Sequence, residues 1–151
     1  MTETTSSPDL LEQRPITGIL VHIFGLLTGL FGAGIVGAGI VYLASSHEFT
    51  KENARHALNW HLSITILALI TLVTFLFGAE ELETGTGGTI ELITLPAPLD
   101  TVVSVVAIVS AFVFIIASFL GLIFPFIATG KAIFGTAWKY PLVPELVSND
   151  E

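Results

Sequence analysis

Twelve residues, Glu52-Asn53-Ala54-Arg55-His56-Ala57-Leu58-Asn59-Trp60-His61-Leu62-Ser63, carry charged and polar side chains into a run that holds no charge again until Glu80. On a helix, Glu52, His56, Asn59 and Ser63 follow one another at spacings of four, three and four, and Arg55 borders them, so the five form one polar stripe. A helix that is polar on one edge and uncharged for its remaining length enters a membrane. There its polar edge has to face protein or water, because hydrocarbon offers no hydrogen bonds.

Composition agrees. The 151-residue chain is 52% hydrophobic and 12% charged, with a mean hydropathy of +0.84; soluble domains carry about 25% charged residues. A single membrane domain is expected. Cysteine is absent, which excludes disulfides and thiolate metal sites. The net charge of −8 comes almost wholly from the chain ends and one loop. An acidic surface of this kind excludes a nucleic-acid partner, whose phosphates require a basic one, and it would suit a salt-loving organism.

In chain order, residues 1–15 read as a disordered acidic tail with proline breakers at Pro8 and Pro15. No signal peptide is expected, because the apolar run that follows is too long for one and is preceded by acids. Thr17 to Ala44 is uncharged and exceeds the roughly 20 residues that cross a bilayer, so it reads as one span, or as two if it breaks in its glycine-dense centre. Gly25, Gly29, Ala33 and Gly37, spaced by four, form a ridge suited to close helix packing. Thr50 is a candidate N-cap for the second helix, which is amphipathic at first and spans over residues 57–78.

Ala79 to Asp100 reads as an acidic loop. A short strand is conceivable within Thr89 to Leu95, although one strand makes no sheet. The third span covers residues 101–129, with Asp100 as its N-cap and a kink expected at Pro125. Trp60, Lys131, Trp138, Lys139 and Tyr140 have the composition of an interfacial anchor. Residues 142–151 close the chain as an acidic tail. The fold expected is therefore an all-α, polytopic membrane bundle of three helices, or four if the first run is broken.

Topology follows from the five cations. Four of them, Lys51, Arg55, Lys131 and Lys139, lie in the first connection and the C-terminal segment. The positive-inside rule puts these in the cytoplasm, with the acidic loop and the N-terminus outside and Arg14 dissenting. This topology separates His22, near the outer side, from His56, near the inner one, and so argues against a metal site shared by the two.

His22-Ile23-Phe24-Gly25, the Glu52 to His61 block, and Gly130-Lys131-Ala132 through Trp138-Lys139-Tyr140-Pro141 together resemble a family of small prokaryotic membrane proteins. It is catalogued as domain of unknown function 4870 and is similar to the Tic-twenty component of the chloroplast import machinery. The resemblance implies a polytopic helical membrane protein and no settled activity.

No catalytic, cofactor-binding or metal-binding motif is recognisable, and an enzyme is not expected. The expected function is that of a multi-pass cell-membrane subunit or scaffold of a transport or translocation-like assembly. Its working surface would be the stripe of Glu52, Arg55, His56, Asn59 and Ser63, and its partners the bilayer, a second copy or another membrane protein. The alternative is a small homo-oligomeric channel or carrier in which the same face lines the path.

Overall fold

The computed structural model describes residues 15–27, 31–79 and 81–148. The expected N-terminal tail, apart from Pro15, lies outside the described residues, as do Gly29 of the expected ridge, Glu80 and residues 149–151. In chain order the elements are α1 (Ile16–Leu27), α2 (Phe31–Ala44), α3 (Glu48–Gly78), β1 (Glu81–Glu83), β2 (Thr89–Glu91) and α4 (Leu99–Ile133).

The first apolar run is two helices, not one continuous span. Phe24 of α1 meets Gly37 of α2, and Gly25 and Gly34 flank the same His61 ring, a pairing in which one number rises as the other falls. The two helices are therefore antiparallel. Hydropathy could not see the reversal, because both halves are apolar and rich in glycine. The glycines also serve a purpose other than the expected one. A Cβ on Gly34 would lie 2.5 Å from His61 Cε1 and Nδ1, and one on Gly25 would overlap His61 Nε2. Gly25 and Gly34 thus make a slot for an imidazole, and Gly37 makes room for the Phe24 ring.

The chain divides into two compact units. The first contains the described residues up to Ser63 and those from Leu120 onward. Its apolar core is Val21, Ala38, Ala54, Ala57 and Leu58, with Ile35, Val41, Tyr42, Leu62 and Val147 packed against it. The α1–α2 pair also lines an apolar groove of about 550 Å³ that includes Leu20, Phe24, Ala33, Val36 and Ile40.

Helix α3 begins two residues before the expected cap. Lys51 N–H bonds to the His47 carbonyl, and the Ser45 hydroxyl accepts from His47 N–H at 3.2 Å. Thr50 falls inside the first turn, buried beneath Gly18. At the other end of this unit α4 stops in a Schellman motif. Thr136 N–H reaches the Lys131 carbonyl and Gly135 N–H the Ala132 carbonyl, with Gly135 at φ 81°, a conformation glycine adopts without penalty.

The second unit is Ile64–Phe119. Here α3 and α4 approach closely along small residues. A Cβ on Gly78 would meet Ser104 Cα at 3.1 Å, the Ser104 hydroxyl donates to the Gly78 carbonyl at 3.0 Å, and Thr74 and Ser110 share a hydrogen bond. Large apolar side chains such as Leu69, Leu72, Phe75, Ile108 and Phe112 point outward, the arrangement that hydrocarbon surroundings favour.

The acidic segment expected to be a loop contains an antiparallel hairpin. Leu82 faces Ile90 and Glu81 faces Glu91, around a turn in which Thr84 Oγ1 accepts from Gly88 N–H and Gly87 has φ 81°. Strands of three residues each are too short to impose a readable alternation. Helix α4 begins at Leu99, with the Pro98 carbonyl taking its first hydrogen bond. Asp100 therefore lies in the first turn, where its charge favours the helix dipole. Pro125 lies within α4 without ending it.

The glycine slot makes a measurable claim. Gly34→Ala should lower thermal stability in detergent by about 1–3 kcal/mol through overpacking, and adding His61→Ala should recover part of that loss. Gly39→Ala, whose new methyl would find its nearest neighbour at 4.0 Å, should be tolerated.

Candidate functional site on the polar face of the third helix

Asn53 is fully buried, and a buried amide left without partners destabilises by about 1–3 kcal/mol. Its Nδ2 donates to the Phe49 carbonyl at 2.8 Å, so its Oδ1 is free to accept. His22 Nε2 lies 2.8 Å from that oxygen, so Nε2 carries a proton. His22 Nδ1 then accepts from the Tyr140 hydroxyl, at 3.0 Å. Burial raises the Tyr140 hydroxyl above its ordinary 10, so it remains a phenol able to donate. The result is one directional chain, Tyr140 to His22 to Asn53 to the Phe49 carbonyl, built on a neutral imidazole. The expected separation of His22 from the polar residues of α3 is overturned, because α1 returns along α2 and brings His22 against α3.

Nearly two turns further along α3, the Asn59 side chain meets Val147 of the C-terminal segment at two points. Asn59 Nδ2 donates to the Val147 carbonyl at 3.0 Å, and Val147 N–H donates to Asn59 Oδ1 at 2.7 Å. The carboxamide thus pairs with a backbone as a neighbouring strand would. Glu52 Oε1 receives Arg55 Nη2 at 2.5 Å and His56 Nε2 at 3.1 Å. Glu145 receives Lys139 Nζ at 2.6 Å and has Arg55 Nη1 at 3.9 Å.

Of the five stripe residues, Glu52, Arg55, His56 and Asn59 engage one another or the C-terminal segment. Ser63 Oγ is buried with no hydrogen-bond partner among the described residues. The residues expected as a membrane anchor divide as well. Trp60, only 6% exposed, stacks on buried Tyr140 at 5.2 Å and 18°, with Phe124 against Trp60 and Trp138 against Phe124. Gly121 lies against the Trp60 ring, where an added Cβ would come to 3.4 Å, an ordinary packing distance. Trp60 and Tyr140 are thus packed inside protein and not set among headgroups. Trp138 is half-buried; Lys131 and Lys139 are exposed.

Asn53, His61 and Val147 were not singled out by sequence. Asn53 had a readable signal, lying three residues after Thr50 on a helix that carries it toward α1. Val147 had none, because it is one of four aliphatics in a short acidic tail that looks solvated. Among the described residues no group of three or more His, Asp or Glu side chains is placed to hold a metal ion.

Three outcomes follow. Tyr140→Phe should cost about 1–3 kcal/mol in a detergent melt, because it strands His22 Nδ1 in a buried site, and Asn59→Leu should expose the C-terminal segment to limited proteolysis. Glu145 is held below its ordinary 4.5 by its hydrogen bond to Lys139 and by the Lys139 charge. The ionised carboxylate therefore favours the docked segment. That contribution is complete above pH 4.5 and is lost as pH falls through the lowered folded value, so amide protection around Val147 should decline on acidification across that range.

A family model described as the magnetosome magnetite crystal formation protein family, MamF/MmsF, matches residues 13–147. No curated protein and no solved structure matches the chain. The match corrects the resemblance to domain of unknown function 4870 and the Tic-twenty component, since the blocks around His22, Glu52 and Trp138 that carried it all fall within the matched residues. The chain belongs to the MamF/MmsF family, small membrane proteins involved in magnetosome formation.

Proposed function

We propose that this chain is a non-enzymatic membrane subunit or scaffold whose working surface is the α3 polar face together with the C-terminal segment that covers it. The observation that carries this reading is the engagement of that face. Glu52, Arg55, His56 and Asn59 are bound to each other or to the chain's own backbone and carboxylates, while the groove beside α1 and α2 is lined by apolar residues. Such an arrangement suits holding a segment in place better than it suits turning over a substrate.

In this reading α3 and α4, with 31 and 35 residues, cross the bilayer. Helices α1 and α2 have 12 and 14 residues, about 18 and 21 Å against a core of about 30 Å. They enter and return as a hairpin. The N-terminus then shares a side with the C-terminus, and Arg14 joins Lys51, Arg55, Lys131 and Lys139 on the cytoplasmic side in place of dissenting. This revises the outside N-terminus that three spans required.

Membership of a family described by magnetite crystal formation favours an assembly that equips a membrane compartment over a transport or translocation complex. A channel lined by Glu52, His56, Asn59 and Ser63 would require the C-terminal segment to leave this face.

Purified protein reconstituted into liposomes should pass neither protons nor potassium, and cross-linking in native membranes should join it to a membrane protein. Conduction by the purified chain, altered by Asn59→Leu, would replace this reading with the channel. Since the chain lacks cysteine, the single substitution Thr86→Cys should label from outside cells, and Thr136→Cys only after permeabilisation.

A further inference from the structure

The contacts that hold the C-terminal segment read backbone and charge. Asn59 binds both the N–H and the carbonyl of Val147, which any residue presents. Arg55 and Lys139 face the Glu145 carboxylate, and Val147 packs on the core that contains Ala54 and Leu58. Together these make a receptor for a bent segment, closed by the Leu146 N–H to Pro144 carbonyl hydrogen bond, with a carboxylate two residues before a branched aliphatic. Nothing in the recognition requires that segment to come from the same chain.

Between the docked Tyr140 and the docked Val147 lies Leu142, with φ 65° and 98% of its surface exposed. A leucine in the left-handed region is strained, and Leu142 gains no burial in return. Pro141 and Pro144 stiffen either side of it. A stiff, strained hinge between two docked points favours exchange of the distal part between copies, because the contacts re-form in the other copy while the strain is released. The segment beyond Leu142 reaches about 20 Å when extended, sufficient for helices packed about 8–10 Å apart.

We propose that the α3 polar face binds the C-terminal segment of a second copy, so that residues 143–148 are exchanged reciprocally in a two-fold dimer. In that dimer the Glu145 of each chain meets the Arg55 and Lys139 of the other, and each Val147 pairs with the other's Asn59. The inference rests on the reading of this face as the working surface, and names its partner.

The absence of cysteine permits a direct test. Two differently tagged full-length chains are co-expressed, one carrying Tyr42→Cys and the other Ser148→Cys, positions whose native side chain and carbonyl lie 3.4 Å apart. Membranes are then treated with a short bismaleimide. A cross-link joining the two tags is expected. It should fall about tenfold when Asn59→Leu is added to the Tyr42→Cys chain, or Val147→Asp to the Ser148→Cys chain, the latter leaving the receptor face untouched. Leu142→Gly, which removes the strain, should lower it about fivefold.

A chain carrying both cysteine substitutions that cross-links only to itself would overturn the proposal, as would a cross-link between tags indifferent to Asn59→Leu and Val147→Asp. Capture of a different membrane protein by the Ser148→Cys chain would also overturn it, while leaving the scaffold reading intact. The liposome flux assay judges that reading separately.

Discussion

A polar side chain that folding removes from water has to find its partners within the protein, and the α3 face is arranged around that demand. Asn53, fully buried, can be satisfied only by groups from elsewhere in the chain or by the turn before it. It takes both, the Phe49 carbonyl behind and His22 ahead. His22 in turn needs a donor, and Tyr140, 118 residues further along the chain, supplies it. Each bond taken singly contributes about 1 kcal/mol. As a chain they fix three segments to one another, because breaking any one link strands a buried group at the next.

The C-terminal segment follows from the same constraint. After the Schellman turn at Gly135 the chain leaves α4, and Tyr140 is drawn to His22 and to the Trp60 ring. Once there, Val147 lies within reach of Asn59. What reads as a tail therefore completes the polar face of a helix 88 residues away in sequence.

Much of this was legible in the residues, and some was not. The uncharged runs, the helical class and the grouping of Glu52, Arg55, His56 and Asn59 on one face follow from hydropathy and a helical period of about 3.6 residues. The division of the first run does not, because hydropathy is the same on both sides of the turn. The glycines of that run were expected to form a ridge for close helix packing, whereas Gly25 and Gly34 lie against the His61 ring and Gly37 against the Phe24 ring, partners that no spacing rule names. The hairpin of Glu81–Glu83 and Thr89–Glu91 escaped because strands so short show little alternation. Tyr140 reads as an interfacial anchor and Val147 as part of a tail for another reason: their value lies wholly in long-range contact, and aromatic residues beside lysines look the same whether they dock on protein or on headgroups.

The neutral His22 between Tyr140 and Asn53 is the most direct point of access to this account. Nitrogen-15 NMR of the protein labelled at histidine, in lipid, distinguishes the two imidazole tautomers and the cation. A His22 protonated at Nε2 alone, with Nδ1 shifted by an accepted hydrogen bond that disappears in Tyr140→Phe, is the expected spectrum. A His22 protonated at Nδ1, or one averaging between tautomers as a solvated imidazole does, would mean that the buried chain of hydrogen bonds is not what holds these three segments together.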